Sequence, residues 1–312
     1  MNIAYSCNDY YIPQTGISLI SLFENNKDVD DLTVYFISKD VSEENIIILR
    51  EITNHYHRNF KEVKFDDIAF DLDLSDTGRH IATIYTKVFF SRIEGVDKMI
   101  YLDSDTVIVG PLKYLWEENI DDYYMGVVET LPTKFYNELG LPKGERFFND
   151  GMAVCNVAYC RKNNLIDQVL KVVNDYQGKP PTLSEGALNK VCFGKVKYFD
   201  LRYNLMSGIL YMCSLDADYM SKILHSPKNV LVDSCKNPII IHYLTGFYNR
   251  PWFVNCTHPY KSEYLKYKAI SPWQDAVLTY KPMPLKLKMI DYAYRLFGLR
   301  TIEFIRSFLK DS

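Results

Sequence analysis

The 312-residue sequence has no run approaching the roughly 18 apolar residues that cross a bilayer, so no membrane-spanning helix is expected. Its seven cysteines are odd in number, scattered and never spaced as Cys-x-x-Cys, which argues against both a disulfide framework and a zinc site and fits a reducing cytosol. The opening residues lack the layout of a secretory signal, because Asn8 and Asp9 interrupt them. There is no basic excess: the net charge is −3, and an acidic body repels a phosphate backbone, so nucleic acid is not an expected partner. No glycine-rich phosphate loop follows the first apolar run. What the chain does have is an apolar share of 47% with 14% aromatics, ample for the core of a globular protein.

The most informative stretch runs from Lys98 to Val109. Met99 to Leu102 has the composition of a strand buried on both faces, and Thr106 to Val109 resumes extended chain. Between them stand Asp103, Ser104 and Asp105. In extended chain this spacing puts both carboxylates on one face, with no Lys or Arg adjacent in sequence to neutralise them. Paired hard oxygen ligands at a strand end suit Mg²⁺ or Mn²⁺, which complete their shells with substrate phosphates. Taken alone, Asp-Ser-Asp also reads as a surface turn.

Around it the chain alternates strands and helices. Met1–Tyr5 reads as a strand, Ser6–Tyr11 as a polar loop and Gly16–Phe23 as a helix; Leu32–Ser38 and Glu62–Phe65 are further strands, and a helix over Ser42–His55 has Ser42 as its N-cap. That alternation predicts an α/β fold with a mainly parallel sheet, whose ligands bind outside the carboxyl ends of the strands, where the Ser6–Tyr11 loop lies. Gly78–Arg92 is helical by spacing and carries Arg79 and Lys87, which read equally as solvated charges or as contacts to an anion. Tyr123–Val128 is a strand, and Glu129–Arg146 has the length of a binding loop or lid. Phe147–Asn156 is another strand, led by Asn149 and Asp150. Leu165–Tyr176 is helical, and a helix begins at Ser184-Glu185 with Ser184 as cap. Pro238–Ile241 delivers His242, followed by Gly246 and Arg250-Pro-Trp252; imidazole suits Mn²⁺ and a guanidinium fork suits phosphate.

The order of these motifs resembles the retaining glycosyltransferases of family 8, which include glycogenin and bacterial lipopolysaccharide galactosyl- and glucosyltransferases, over about residues 1–260. The resemblance implies a GT-A type fold with a mainly parallel mixed central sheet flanked by helices. It implies Mn²⁺, or Mg²⁺, on Asp103, Asp105 and His242, and a UDP-sugar donor. Ser6, Asn8 and Tyr11 would hold the uridine, with Lys87, Ser104, Gly246 and Arg250 also on the donor side. Asn149 and Asp150, in the family's Asn-x-Gly position, would touch the donor sugar. The family's Asp-Gln pair falls on Ser184 and Glu185, so the residue facing the reacting sugar is acidic here, a candidate for stabilising the sugar cation. The usual His-x-x-Gly-x-x-Lys-Pro-Trp is lengthened, with Arg250 in place of the lysine; Asn8 stands where relatives often have aspartate. The implied reaction moves glucose or galactose to a hydroxyl of a glycan or glycolipid acceptor in bacterial surface polysaccharide synthesis. A metal-dependent nucleotidyltransferase and a non-catalytic nucleotide-sugar-binding module are the alternatives.

Residues 261–312 form a tail to the catalytic part, residues 1–260. From Lys281 onward seven basic residues face three acidic ones, a net +4 that leaves −7 for the rest. Two helices broken at Gly298 interleave these charges with Leu, Met, Ile, Tyr and Phe. Basic amphipathic helices suit an anionic membrane surface, which would make the protein cytoplasmic and peripheral on the inner face of the cell membrane; packing on the catalytic part is the other reading.

Overall fold

The computed structural model describes residues 1–72 and 79–310, without the side chains of 79–81 and 306–310. Arg79, paired above with Lys87, thus has its side chain outside the described residues. Among the described residues ten strands are formed: β1 (Asn2–Cys7), β2 (Thr33–Ser38), β3 (Asn59–Lys64), β4 (Lys98–Leu102), β5 (Thr106–Ile108), β6 (Met125–Glu129), β7 (Phe148–Asn156), β8 (Val196–Phe199), β9 (Leu205–Met206) and β10 (Ile240–His242). Seven make the central sheet in the order β3-β2-β1-β4-β7-β6-β8. β1, β2, β3 and β4 pair in parallel, and β7 runs antiparallel between β4 and β6, so the sheet is mixed, as expected.

The apolar runs explain this layering. β2 and β6 are buried at every residue, and β4 at every residue after Lys98, because helices cover both faces. Ile12–Glu24 and Glu43–His55 supply Ile17, Leu19, Phe23, Ile46 and Leu49 to one core cluster. The other face packs against Tyr85, Val88, Leu165, Val169 and Leu188, from Arg79–Arg92, Leu165–Asp175 and Ser184–Val191. Arg79–Arg92 is helical where the periodicity placed a helix, but wound as a 3₁₀ helix. Within it the Thr86 hydroxyl donates to the Thr83 carbonyl at 2.7 Å.

Three strands leave the main sheet and form a second one, β5-β10-β9. The chain turns sharply between β4 and β5, with the Thr106 N–H donating to the Asp103 carbonyl. Asp103 and Asp105 therefore converge through a turn, and not through the alternation of extended chain expected above. β10 is antiparallel to β5 with His242 opposite Thr106, which sets a histidine 137 residues away beside Asp105.

Two expected caps work differently. Ser42 stands at the N-cap of Glu43–His55 without capping it; its N–H and hydroxyl donate instead to Asp9, which ties the first loop to the second helix. Ser184 is the first residue inside its helix, behind Leu183, and its hydroxyl turns to Asp150. Glu129–Arg146 folds on itself around Tyr136, Leu139, Leu141 and Phe147 and contains a short helix, Tyr136–Leu139.

The tail forms the two expected helices, Leu285–Phe297 and Leu299–Lys310, broken at Gly298 with φ +80°. Tyr294 and Leu299 are buried in the same cluster as β1 and β4. Arg300 grips Asp216 through two nitrogens, at 2.6 and 3.0 Å. The opposite face is open: Leu285, Met289, Tyr292 and Leu296, spaced at helical intervals, are all exposed.

Candidate active site

The carboxyl ends of β1 and β4 open onto a pocket of about 290 Å³ lined by Ser6, Cys7, Asn8, Tyr11, Thr83, Ile84, Tyr101, Asp103, Ser104, Asp105, Leu244 and Arg250. This is the edge at which ligands of α/β sheets bind. Ser6 is fixed between the Ile37 carbonyl and the Thr86 hydroxyl. Ser104 accepts from Thr15 at 2.8 Å. The Asn8 side-chain oxygen is buried and has no protein partner, a free acceptor beside the pocket.

At the pocket floor Asp103 and Asp105 meet the buried His242, and each of the three offers one ligand atom, all within 4.8 Å of one another. His242 is fully buried, with Nε2 3.0 Å from Asp105 and 3.6 Å from Asp103. Tyr101 donates to Asp103 Oδ1 at 2.8 Å. Gly151 lies against this group: a Cβ there would sit 2.4 Å from both Asp103 Oδ2 and His242 Cε1. Two carboxylates and an imidazole around a space that tolerates no methyl group fit a divalent cation such as Mn²⁺.

Arg250 corrects the premise that no cation neutralises the acidic pair. It is adjacent in space though 145 residues distant: its Nη2 meets Asp105 Oδ2 at 2.8 Å and its Nη1 donates to the Tyr11 hydroxyl at 2.6 Å. Burial pushes both aspartates towards the neutral form, but with opposite outcomes. For Asp105 the His242 charge and hydrogen bond, with Arg250, outweigh burial and hold the carboxyl below its ordinary range. Asp103 stays raised, because burial and the charges of Asp105 and Asp150 exceed the pull of Lys87 and His242.

Next to the metal ligands lies a second cluster. Lys87, 3% exposed, makes an ion pair with Asp150 at 2.9 Å, so it is no solvated charge. Ser184 donates to the same Asp150 oxygen at 2.7 Å, and Asn149 donates to Glu185 at 2.9 Å. Thr182 and Leu183 both have φ 56°, a strained approach that turns the chain so that Ser184 and Glu185 face β7. Of the residues expected on the donor side, Lys87 and Gly246 lie outside the pocket lining, Lys87 turned to Asp150 and Gly246 with open space where a Cβ would be. Asn204 was not foreseen: it precedes β9, is fully buried, and bonds to both His242 and Asn149. No periodicity or motif around residue 204 marks it in sequence.

Burial, then the charge of Asp150, raise the Glu185 carboxyl from 4.5 to about 8, against the Asn149 hydrogen bond and Lys87. The folded protein therefore keeps a proton that the unfolded chain releases, and this site's contribution to stability is lost as pH rises from 4.5 towards 8. Glu185→Gln, which cannot ionise, should match the wild-type melting temperature near pH 5 and exceed it at pH 8, by about 2–4 °C for each kcal/mol regained. Melting curves that stay parallel across this range would contradict the assignment.

Residues 2–256 match the profile of glycosyl transferase family 8. The chain belongs to glycosyl transferase family 8. The family 8 chain is 26% identical over 268 residues to a Haemophilus influenzae protein named as a glycosyltransferase, covering 83% of this chain and 74% of that one. It is 22% identical to the lipopolysaccharide 1,2-glucosyltransferase of Escherichia coli K12, over 88% of this chain and 79% of that one. Among solved structures it resembles the galactosyltransferase LgtC, with a TM-score of 0.70 at 18% identity over 93% of this chain and 99% of that one. It also resembles the bifunctional WbbM, with a TM-score of 0.72 at 19% identity over 88% of this chain, and spans 50% of that protein's length. These neighbours give the family 8 enzyme its GT-A fold, and its membership makes it a glycosyltransferase in place of the nucleotidyltransferase considered above.

Proposed function

We propose that this family 8 glycosyltransferase moves a hexose, glucose or galactose, from a UDP-sugar to a hydroxyl of a glycan acceptor, with retention of anomeric configuration, in bacterial surface polysaccharide synthesis. The observation that carries the reading is the convergence of Asp103, Asp105 and His242 at the floor of the pocket formed by the first strand-to-helix loop. The names of the two relatives that transfer glucose and galactose support the donor class. Ser6, Asn8 and Tyr11 would hold the uridine, Asn8 through its free acceptor. A divalent metal, when bound, supplies positive charge against the donor diphosphate. Arg250, its fork already spanning Asp105 and Tyr11, adds a second cation on the leaving-group side. Asn149 and the Lys87–Asp150–Ser184 cluster would form the sugar-facing wall, and Glu185, which keeps its proton up to about pH 8 in the empty site, would stabilise positive charge at the anomeric carbon once donor binding leaves it ionised. The acceptor proton goes to a diphosphate oxygen on the same face. Incubation with a panel of UDP-sugars, Mn²⁺ and a lipid-linked glycan tests this: UDP-glucose or UDP-galactose should give product and UDP, and turnover should stop in excess chelator. Transfer that continues in chelator sinks the metal role, and an inverted product anomer sinks retention.

The acceptor surface is read as an anionic membrane, on which the tail docks. Among the described residues no helix is long and apolar enough to cross a membrane. Leu285, Met289, Tyr292 and Leu296 instead make an exposed apolar stripe, flanked by exposed Lys286 and Lys288, while Tyr294 on the inner face belongs to the core. Each buried Leu or Met contributes about 1.5–3 kcal/mol and each lysine near an anionic leaflet about 1 kcal/mol. Met289→Glu with Leu296→Glu should therefore lower binding to anionic vesicles at least tenfold, while UDP binding in solution stays as in the wild type. Unchanged vesicle binding would discard the membrane role.

A further inference from the structure

Two side chains, Asn204 and Asn149, join His242 of the metal group to Glu185 in one unbroken run of hydrogen bonds, and the direction of every bond follows from a single fixed donor. The backbone N–H of Gly151 donates to the side-chain oxygen of Asn149 at 3.1 Å. A backbone N–H cannot accept, so Asn149 must present its oxygen on this side and its NH₂ towards Glu185, 2.9 Å away. The same Asn149 oxygen receives a second contact, from Asn204 at 2.9 Å. Asn204 must meet it with its NH₂, because two carbonyl oxygens would repel. That leaves the Asn204 oxygen facing His242 Nδ1, at 2.9 Å. Nδ1 must then carry a hydrogen; Nε2, hydrogen-bonded to Asp105 in the metal-free protein, is left as the nitrogen whose lone pair would serve a metal once its proton is displaced.

We propose that Asn204 is a positioning residue that sets both halves of the site at once: its oxygen holds His242 in the tautomer whose Nε2 is the ligand, and its NH₂ holds Asn149 turned towards Glu185. The proposal rests on the reading of Asp103, Asp105 and His242 as a metal site. The fold explains why this one side chain reaches both. Asn204 immediately precedes β9, which runs parallel to β10 with Met206 opposite His242, and β7 carries Asn149 on the other side. Asn204 is fully buried, so bulk water does not compete for either bond in the wild type. Partners that orient a ligating histidine through its second nitrogen characteristically change metal affinity about 10–100-fold when lost.

Two variants separate the two bonds. Asn204→Ala removes both. Asn204→Asp keeps the shape and the acceptor for His242 but sets a carboxylate oxygen against the Asn149 oxygen where an N–H had been. Mn²⁺ affinity is read without nucleotide, from the electron paramagnetic resonance signal of free Mn²⁺, and kcat and KM are then measured with the UDP-sugar the enzyme uses. Asn204→Ala should bind Mn²⁺ about 10–100-fold more weakly than the wild type. Asn204→Asp should keep the wild-type Mn²⁺ affinity and the KM, while kcat falls about tenfold as Asn149 swings away from Glu185. Wild-type Mn²⁺ affinity in a folded Asn204→Ala protein would overturn the proposal, as would equal loss of Mn²⁺ in both variants. If the alanine variant does not fold, the aspartate variant decides alone, and a wild-type kcat there overturns the coupling. Mn²⁺ binding that weakens as stated in a protein that turns over no UDP-sugar would leave Asn204 in its role and overturn the transferase reading instead. A wild type that binds no Mn²⁺ overturns both.

Discussion

Gly151→Ala should abolish metal-dependent activity although it adds a single methyl group. That methyl would lie 2.4 Å from the Asp103 oxygen and the His242 ring carbon, and 3.1 Å from the Asn149 oxygen. None of the three can retreat at low cost. His242 is fully buried, Asp103 is held by Tyr101, and Asn149 is held by Asn204 and the Gly151 N–H. Overpacking of this kind costs about 1–3 kcal/mol in stability. The larger effect is on the ligands, since a displacement of 1 Å at a reacting site costs about a hundredfold or more in rate. Calorimetric titration with Mn²⁺ checks the claim: the variant should melt a few degrees below the wild type and show no binding. Wild-type Mn²⁺ affinity in Gly151→Ala would mean that the ligand atoms do not close around this space.

Asp103→Asn should have an effect of comparable size on activity and the opposite sign on stability. Loss of a ligating carboxylate removes several kcal/mol of charge stabilisation from the departing diphosphate, so turnover should fall about a thousandfold. In the metal-free protein, however, burial and then the neighbouring Asp105 and Asp150 keep the Asp103 carboxyl raised, against Lys87 and His242. A raised carboxyl is one whose charge the fold disfavours, so above its ordinary range Asp103 costs stability that a neutral amide returns. The Tyr101 hydroxyl can still donate to an amide oxygen. Metal-free Asp103→Asn should therefore melt at or above the wild-type temperature at pH 7 while being inactive. A variant that melts well below the wild type would show that Asp103 is structural, and one that retains turnover would show that it is no ligand.

The halves of this site were not equally legible in sequence. Asp103 and Asp105 could be found because a buried apolar strand ending in paired carboxylates is costly without a cation, and β4 is that strand. The strand and helix boundaries around them follow from apolar periodicity, which is strong wherever an element is buried on one or both faces. Long-range partners were harder. Arg250 on Asp105 and Lys87 on Asp150 are contacts between residues 145 and 63 positions apart, and nothing local announces them. Asp-Ser-Asp is compatible with both extended chain and a turn at Ser104, and the change of sheet between β4 and β5 decides for the turn. Asn204 lies in a stretch without clear periodicity, beside a strand of two residues. Its importance comes from what β9 brings next to it. Serine before an apolar helix usually caps it, which is the expectation for Ser184; here Asp150 competes for its hydroxyl and wins.

On the proposed function, the pocket at the carboxyl ends of β1 and β4 holds a nucleoside diphosphate through a metal on Asp103, Asp105 and His242. Calorimetric titration of UDP into the protein, once with Mn²⁺ and once with excess chelator, tests it directly. UDP should bind with Mn²⁺ present and lose at least a hundredfold in affinity, about 2.7 kcal/mol, in chelator. Equal UDP affinity under both conditions, or no UDP binding with Mn²⁺ present, would contradict it.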